Sequence, residues 1–226
     1  MPIEVVTKDC TALSDAELEE LADLGIERQP SFDIGFLSKQ REEWVLVTLA
    51  REGSKLRGYS FCTLERIGGT PSLLIGLAAT VRTTKAEGAL KSMMSDQYRR
   101  ALLAFPDEDV LVGARLLTAD GFRAFSGLVD VVPSPGHKAT GEERAWGRRL
   151  AKRFGAESRL EDRSFLLAGE GSVAGGLDFV ASKPKDEPER IEIFAQIDAA
   201  RGDRIVAFGW AMAEDLASGK LGASLK

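Results

Sequence analysis

Residue types that often carry chemistry are scarce in this chain: among 226 residues there are 2 cysteines and 1 histidine. Cys10 and Cys62 are far apart and lack the spacing of a zinc site or a CxxC pair, so we expect reduced structural thiols and no disulfide framework. Any catalytic triad or metal site that needs histidine must use His137. Because His137 lies in a loop beside proline and glycine, we expect it to be exposed to solvent.

Long apolar runs and an excess of basic charge are also missing. The longest apolar runs, such as residues 73–81, are too short to span a bilayer, and the N-terminus has no basic region followed by an apolar core. These features predict a cytoplasmic protein without a membrane partner. A net charge of −5 argues against a dedicated nucleic-acid binder. The composition, 44% hydrophobic and 29% charged, is that of a globular protein with a substantial core.

The most informative stretch is residues 72–117. Residues 73–81 are apolar on both faces, which predicts a central strand covered on both sides. A polar turn at 82–87 leads into an amphipathic helix ending near Phe105, and 110–117 is a second apolar strand. This order predicts a parallel βαβ unit. The helix N-terminus in such a unit has unsatisfied N–H groups and a partial positive charge, both suited to a pyrophosphate.

The residues before this unit predict further elements. Ser14 and Glu17 form a capping-box pattern at the start of a helix, and Gly25 is placed to end it. Two hairpin signals, at residues 52–55 and 67–70, separate apolar strand patterns. The predicted elements are a strand at 3–6, helices at 15–24 and 31–43, and strands at 44–51, 56–64 and 73–81.

The pattern of predicted elements changes after residue 131. Thr140 is placed to cap a helix, and the remaining patterns are shorter and separated by loops such as 183–189. We therefore expect residues 1–131 to form a core and residues 132–226 to form a C-terminal α/β extension packed on it. The elements predicted there are helices at 141–154, 190–196 and 212–216, and strands at 164–167 and 204–208.

The predicted element order over residues 3–131 resembles the fold of GNAT N-acetyltransferases. The resemblance implies an α/β fold with a mixed sheet (α+β in its arrangement). The pyrophosphate loop of this family usually reads Gln or Arg, two residues, Gly, one residue, then Gly or Ala. Gly88 fits the central position and Lys85 is a conservative stand-in, but Leu90 departs from the pattern, as in a divergent member. A carboxylate at Glu87 would repel a diphosphate unless it points away from it.

The resemblance also implies a co-substrate and an activity. Acetyl-CoA or another acyl-CoA would donate an acyl group to an amine of a small molecule or peptide. The turn would hold the pyrophosphate, and backbone groups of residues 77–81 would pair with the pantetheine arm as an added strand does. The residues expected to bind acyl-CoA are Leu77, Ala79, Val81, Arg82, Lys85, Gly88 and Ala89.

The catalytic groups that the resemblance implies are missing from their usual places. Members of the family often use an acidic residue on the central strands as general base and a tyrosine on the helix after the fifth strand as general acid. Residues 73–81 contain no acid, and residues 119–128 contain no tyrosine. The remaining candidates are Tyr59, on a strand bordering the groove, and Ser126, a hydroxyl able to hydrogen-bond the departing sulfur.

Other hypotheses stay open. The chain could be a non-catalytic GNAT-shaped domain for ligand or protein binding, and it could form a homo-oligomer. Gly169, Gly171 and Ala174 match GxGxxA, a pattern found in dinucleotide sites and also in surface loops. We predict no metal site, because the neighbouring acids at residues 107–109 do not converge without other ligands. A helix with one strongly basic face, either solvated or binding an anionic partner, carries Arg144, Arg148, Arg149, Lys152 and Arg153.

Overall fold

The computed structural model describes residues 1–24, 32–171, 173–182 and 188–221. The strands described are β1 Glu4–Asp9, β2 Leu46–Glu52, β3 Lys55–Ile67, β4 Thr70–Thr80, β5 Val110–Leu116, β6 Val129–Val132, β7 Leu160–Glu161, β8 Leu166–Leu167, β9 Leu177–Asp178 and β10 Arg204–Ala211. The helices described are α1 Asp15–Leu24, α2 Ile34–Glu43, α3 Ala86–Ala104, α4 Gly141–Arg153, α5 Pro188–Ile193 and α6 Ala213–Ala217, together with a 3-10 helix at Ala119–Phe125 after β5.

All these strands belong to one mixed sheet. Its order is β1-β2-β3-β4-β9-β5-β10-β8-β7, and β6 pairs with β10. Neighbours from β1 to β4 are antiparallel, whereas β4 and β5 are parallel and are joined by α3. The predicted α/β class with a mixed sheet is therefore confirmed, and so is the parallel βαβ unit.

The start of the chain follows the predicted pattern with small differences. Ser14 and Glu17 exchange the two hydrogen bonds of a capping box, at 2.8 and 3.2 Å; Gly25 lies outside the described residues. Helix α2 begins at Ile34, where the Asp33 carboxylate accepts from the N–H of Phe36 at 2.7 Å. The loop between β2 and β3 has two residues and not four, because the ladder extends to the residues on both sides of it.

Strand β4 is central, as predicted, and after its first residue every position is buried. Leu74 and Leu77 face a core that contains Trp44 and residues of α4. Leu73 faces a second core that contains most of the apolar stripe of α3, whereas Met93 packs with Ala50 and Ala89. The predicted stripe is confirmed as buried, and its members are Ala86, Leu90, Met93, Met94, Gln97, Ala101 and Phe105.

Strands from the second half of the chain complete this sheet. Strand β10 pairs antiparallel with the whole of β5, and β9 lies between β4 and β5. Helix α4 starts with a capping box formed by Thr140 and Glu143. The boundary at residue 131 stays a prediction, but residues on both sides of it build one sheet.

Candidate functional site

Strands β4 and β5 run together and then part. They pair from Ser72 opposite Leu111 to Ile75 opposite Ala114. The next residue, Gly76, is an extra residue in β4, because the register against β3 shifts at this point. An extra residue of this kind is a β-bulge, which bends its strand. The bulge at Gly76 is therefore the point at which β4 leaves β5.

The bulge depends on the absence of a side chain at position 76. A Cβ atom there would lie 1.8 Å from Cε2 of Trp44, whose indole ring packs directly on the backbone of Gly76. The Trp44 ring is held by a 3.1 Å hydrogen bond from its Nε1 to Oε1 of Gln40. Only glycine fits under this ring, a constraint that the sequence did not reveal.

The space between the parted strands is filled by the chain itself. Residues 173–182, here called the closing segment, contain β9, in which Leu177 faces Ala78 on one side and Leu116 on the other. The Ala78 N–H donates to the Gly176 carbonyl at 3.1 Å. This N–H lies in the stretch that we expected to pair with pantetheine, so the described conformation does not admit the arm.

Buried side chains and polar contacts anchor the closing segment. Leu177 is 0% exposed and Phe179 is 1% exposed. Burying two such side chains contributes roughly 3–6 kcal/mol. The hydroxyl of Thr118 donates to the Phe179 carbonyl at 2.6 Å instead of capping the 3-10 helix, and the Asp120 carboxylate accepts from the N–H of Ala181 at 2.9 Å. The segment is therefore part of the folded core.

The two cations of the turn after β4 are paired within the chain. Arg82 forms a 2.6 Å ion pair with Asp178 of the closing segment, whose side chain is only 4% exposed. Lys85 forms a 2.8 Å ion pair with Glu52, which also accepts from Arg57. The hydrogen bonds from Lys85 and Arg57 lower the pKa of Glu52 to about 2. Carboxylates thus occupy the places where we expected phosphate.

The start of α3 departs from an open phosphate cradle. A Cβ on Gly88 would lie 3.0 Å from Cδ1 of Ile3, so this glycine faces the start of β1. Ala89 is fully buried, and the first helical N–H, that of Ala86, donates to the Thr83 carbonyl at 3.0 Å. Glu87 forms an ion pair with Arg123, so its charge is compensated within the chain.

The two catalytic candidates do not come together. Tyr59 is 0% exposed, contacts Phe61 edge to face and lies opposite Ala79 inside the core. Ser126 ends the 3-10 helix, and the nearby Ala124 carbonyl accepts a 3.0 Å hydrogen bond from the Tyr98 hydroxyl. Tyr98 lies about 18 Å along α3 from its first residue. Tyr59 is therefore enclosed in the core, and Ser126 lies beside α3.

Two buried arginines lie beneath the closing segment, and the sequence analysis missed both. Arg115 is 7% exposed, donates to the Gly76 carbonyl at 3.0 Å and stacks 4.7 Å over the Phe154 ring. Burial lowers its pKa to about 10. Arg204 is 5% exposed and donates to the Ala174 carbonyl at 3.2 Å. Within the described residues, Nε of each has no hydrogen-bond partner. The sequence signal for Arg115 was the presence of a charged residue within the apolar strand pattern 110–117.

The other candidate residues are engaged in structural contacts. His137 lies 2.9 Å from the Glu143 carboxylate at an exposed position. On the basic face of α4, Arg148 pairs with Asp162 and Arg153 pairs with Glu65. These contacts favour a structural role for the basic face.

Gly169 of the GxGxxA pattern and the acids Glu108 and Asp109 are also engaged in structural contacts. A Cβ on Gly169 would lie 2.1 Å from the Arg201 carbonyl oxygen, so this glycine allows two backbone segments to touch. Glu108 pairs with Arg66, and Asp109 accepts from the N–H of Ala213 at 2.8 Å. The described part of the chain contains no cluster of three or more residues suited to a metal ion. In the same part, no helix has the length and apolar character needed to cross a membrane.

Comparisons with known proteins give structural likenesses only. No family model and no curated protein matches the chain. Escherichia coli ElaA matches at 20% identity over 62% of this chain and 94% of its own, with a TM-score of 0.39. A GNAT-family acetyltransferase of Streptococcus pneumoniae matches at 12% identity over 62% and 92%, with a TM-score of 0.35.

A third similar structure is an aminoglycoside acetyltransferase from an uncultured soil metagenomic sample, solved with sisomicin. It matches at 15% identity over 49% of this chain and 76% of its own, with a TM-score of 0.35. The chain is thus similar to solved structures of GNAT acetyltransferases. At these identities and TM-scores, nothing about substrate or catalysis follows from the likeness.

Proposed function

We propose that the chain is a GNAT-like acyltransferase whose groove for acyl-CoA is closed by its own segment in the described conformation. The observation that carries this proposal is the parting of parallel strands β4 and β5 at Gly76. The helix that follows β4 has Arg82 and Lys85 in the turn before its N-terminus. Once the segment leaves, the free edge of β4 and the two cations would suit an extended amide-bearing arm and a diphosphate.

The reaction class would be transfer of an acetyl or other acyl group to an amine of a small molecule or peptide. The N–H of Ala78 would be offered to the arm, because it faces the closing segment, whereas the N–H of Val81, which we expected to bind the arm, donates to the Arg57 carbonyl of β3. Arg82 and Lys85 would offer charge. Because β4 contains no acid and the 3-10 helix after β5 contains no tyrosine, rate enhancement would come from positioning. The cytoplasmic location and a homo-oligomer stay predictions from the sequence.

A second candidate is the non-catalytic GNAT-shaped domain. The observation that favours it is the depth of the closing segment, since Leu177 and Phe179 are buried in the core and Asp178 neutralises Arg82. In that case the segment would be a permanent replacement for the acyl-CoA arm. The interaction surface would then lie elsewhere on the chain.

Calorimetric titration with acetyl-CoA separates the two candidates. The wild-type chain and a Phe179→Ala variant are compared, because the variant weakens the hold of the closing segment without touching the turn. Binding by the folded variant, abolished by adding Arg82→Glu and Lys85→Glu, supports the acyltransferase. No binding by either folded protein contradicts it and favours the non-catalytic domain.

A further inference from the structure

The closing segment lies in the space between the parted strands β4 and β5, here called the slot. Three features of the segment match three features of this slot. The glycines 175 and 176 lie at the inner end, where a Cβ on Gly175 would be 2.6 Å from Nη2 of Arg115 and 2.9 Å from the Gly76 carbonyl oxygen. The extended backbone of β9 lies in the middle, parallel to β4. The Asp178 carboxylate lies at the outer end, on Arg82 of the turn. The segment thus has a narrow end, an amide-bearing middle and an anionic end.

These features occur in the order that an acyl-CoA needs. An acyl-CoA has a thin acyl-thioester end, then an arm with two amides, and then a diphosphate. Its shape and charge therefore change along its length in the same order as those of the segment. We infer that the closing segment is an internal ligand of the groove, with Asp178 in the place of a phosphate and the Gly176–Ala78 hydrogen bond in the place of an arm amide. This inference rests on the proposed function, because it assigns the slot to a phosphate-bearing thioester.

The arginines beneath the segment support an anionic occupant. The Ala174 carbonyl accepts from Arg204, and Gly175 packs on Arg115, so the segment covers both buried cations. Leaving the slot would uncover them together with Arg82, and a cationic slot attracts an anion more strongly than a neutral molecule. The segment and an anionic thioester therefore compete for the same groups.

Competition of this kind lowers the apparent affinity by the fraction of molecules in which the slot is open. Variants that weaken the segment therefore bind acetyl-CoA more tightly than the wild type. We expect a gain of about 10-fold for Asp178→Asn and about 100-fold for Phe179→Ala. Asp162→Asn, which removes an ion pair with Arg148 away from the slot, is the matched control and leaves the affinity unchanged.

Two probes identify what Asp178 replaces. Pantetheine lacks the phosphates, so Arg82→Gln weakens acetyl-CoA binding relative to pantetheine binding, whereas Asp178→Asn opens the slot equally for both ligands. Hydrogen exchange of peptides covering residues 173–182 supplies the direct readout, because bound acetyl-CoA speeds their exchange by displacing the segment. Circular dichroism checks that each variant is folded.

The outcomes are separable. Equal acetyl-CoA affinity in the wild type and both variants, or binding that leaves exchange of 173–182 unchanged, overturns the internal ligand while the proposed function stands. An equal effect of Arg82→Gln on pantetheine and acetyl-CoA affinity overturns the assignment of Asp178 to a phosphate position. No binding by any folded protein overturns both the inference and the proposed function.

Discussion

The two halves of β4 are paired by different means. Before Gly76, β4 pairs with β5, which the chain reaches directly through α3. After Gly76, β4 pairs on the same side with β9, which comes from the second half of the chain. The first pairing is built into the local βαβ connection. The second depends on a segment whose pairing needs side-chain burial and an ion pair, so we treat the second half of β4 as a binding edge.

The largest effect is expected where the two halves meet. Gly76→Ala places a Cβ 1.8 Å from Cε2 of Trp44, and overpacking of this kind lowers the free energy of unfolding by about 3 kcal/mol. Gly141→Ala is the control, because nothing lies within 4 Å of a Cβ there, and its effect stays within about 0.5 kcal/mol. Urea denaturation measures both. Similar midpoints for the two variants would show that the fold does not require glycine at position 76, which would contradict the role we give to the bulge.

Matched leucines test whether the halves unfold together. Leu73, in the first half of β4, and Leu177, in the closing segment, are both 0% exposed in the same core. We expect Leu73→Ala to lower the free energy of unfolding by about 3 kcal/mol. Leu177→Ala destabilises only molecules in which the segment is closed, so its loss in free energy of unfolding cannot exceed the free energy of opening the segment. We therefore expect this loss to be smaller than that of Leu73→Ala by at least about 1 kcal/mol. Equal losses, measured in urea, would show that the segment opens only when the whole chain unfolds.

A smaller change isolates one anchor of the segment. Thr118→Val keeps the side-chain shape and removes the 2.6 Å hydrogen bond to the Phe179 carbonyl, which weakens the segment by about 1 kcal/mol. Exchange of residues 173–182 should rise, whereas exchange of β5 should not. The exposed Thr84→Val serves as control. A rise across the whole sheet would mean that the two halves are one cooperative unit.

The pH dependence of stability distinguishes the turn from the rest of the molecule. The folded-state pKa of Glu52 is about 2, below its usual 4.5, because Lys85 and Arg57 donate to it. Its contribution to stability is therefore fully present above about pH 4.5 and is lost as the pH falls towards 2. The stability difference between wild type and Glu52→Gln should shrink over that window, as followed by urea denaturation. The control Gly141→Ala removes no titratable group, and its stability difference from wild type should be constant with pH.

The smallest effect concerns Cys62, which lies opposite Ile75, the last residue before β4 leaves β5. Burial raises the pKa of its thiol to about 12, so the reactive thiolate is rare at pH 8. We expect no labelling by a thiol reagent in the native wild type or in Phe179→Ala, as read by mass spectrometry. Labelling of Cys62 in the variant would show that opening the segment also loosens the first half of β4.

Local patterns in the sequence predicted much of the fold. The capping boxes, the apolar stripe of α3 and the apolar strands on either side of it depend on neighbouring residues, so periodicity and cap chemistry are enough to find them. The order of these elements along the chain then indicated the parallel βαβ unit and the turn at its centre.

The contents of the groove were decided only by the tertiary structure. The residues that close it, Leu177 and Asp178, follow a glycine-rich stretch with no strand pattern of its own, and they form β9 only because β4 and β5 part around them. The gap itself comes from Trp44 packing on Gly76, a contact between residues with unrelated local patterns. Pairings of this range bring together residues far apart in the sequence, where periodicity carries no information.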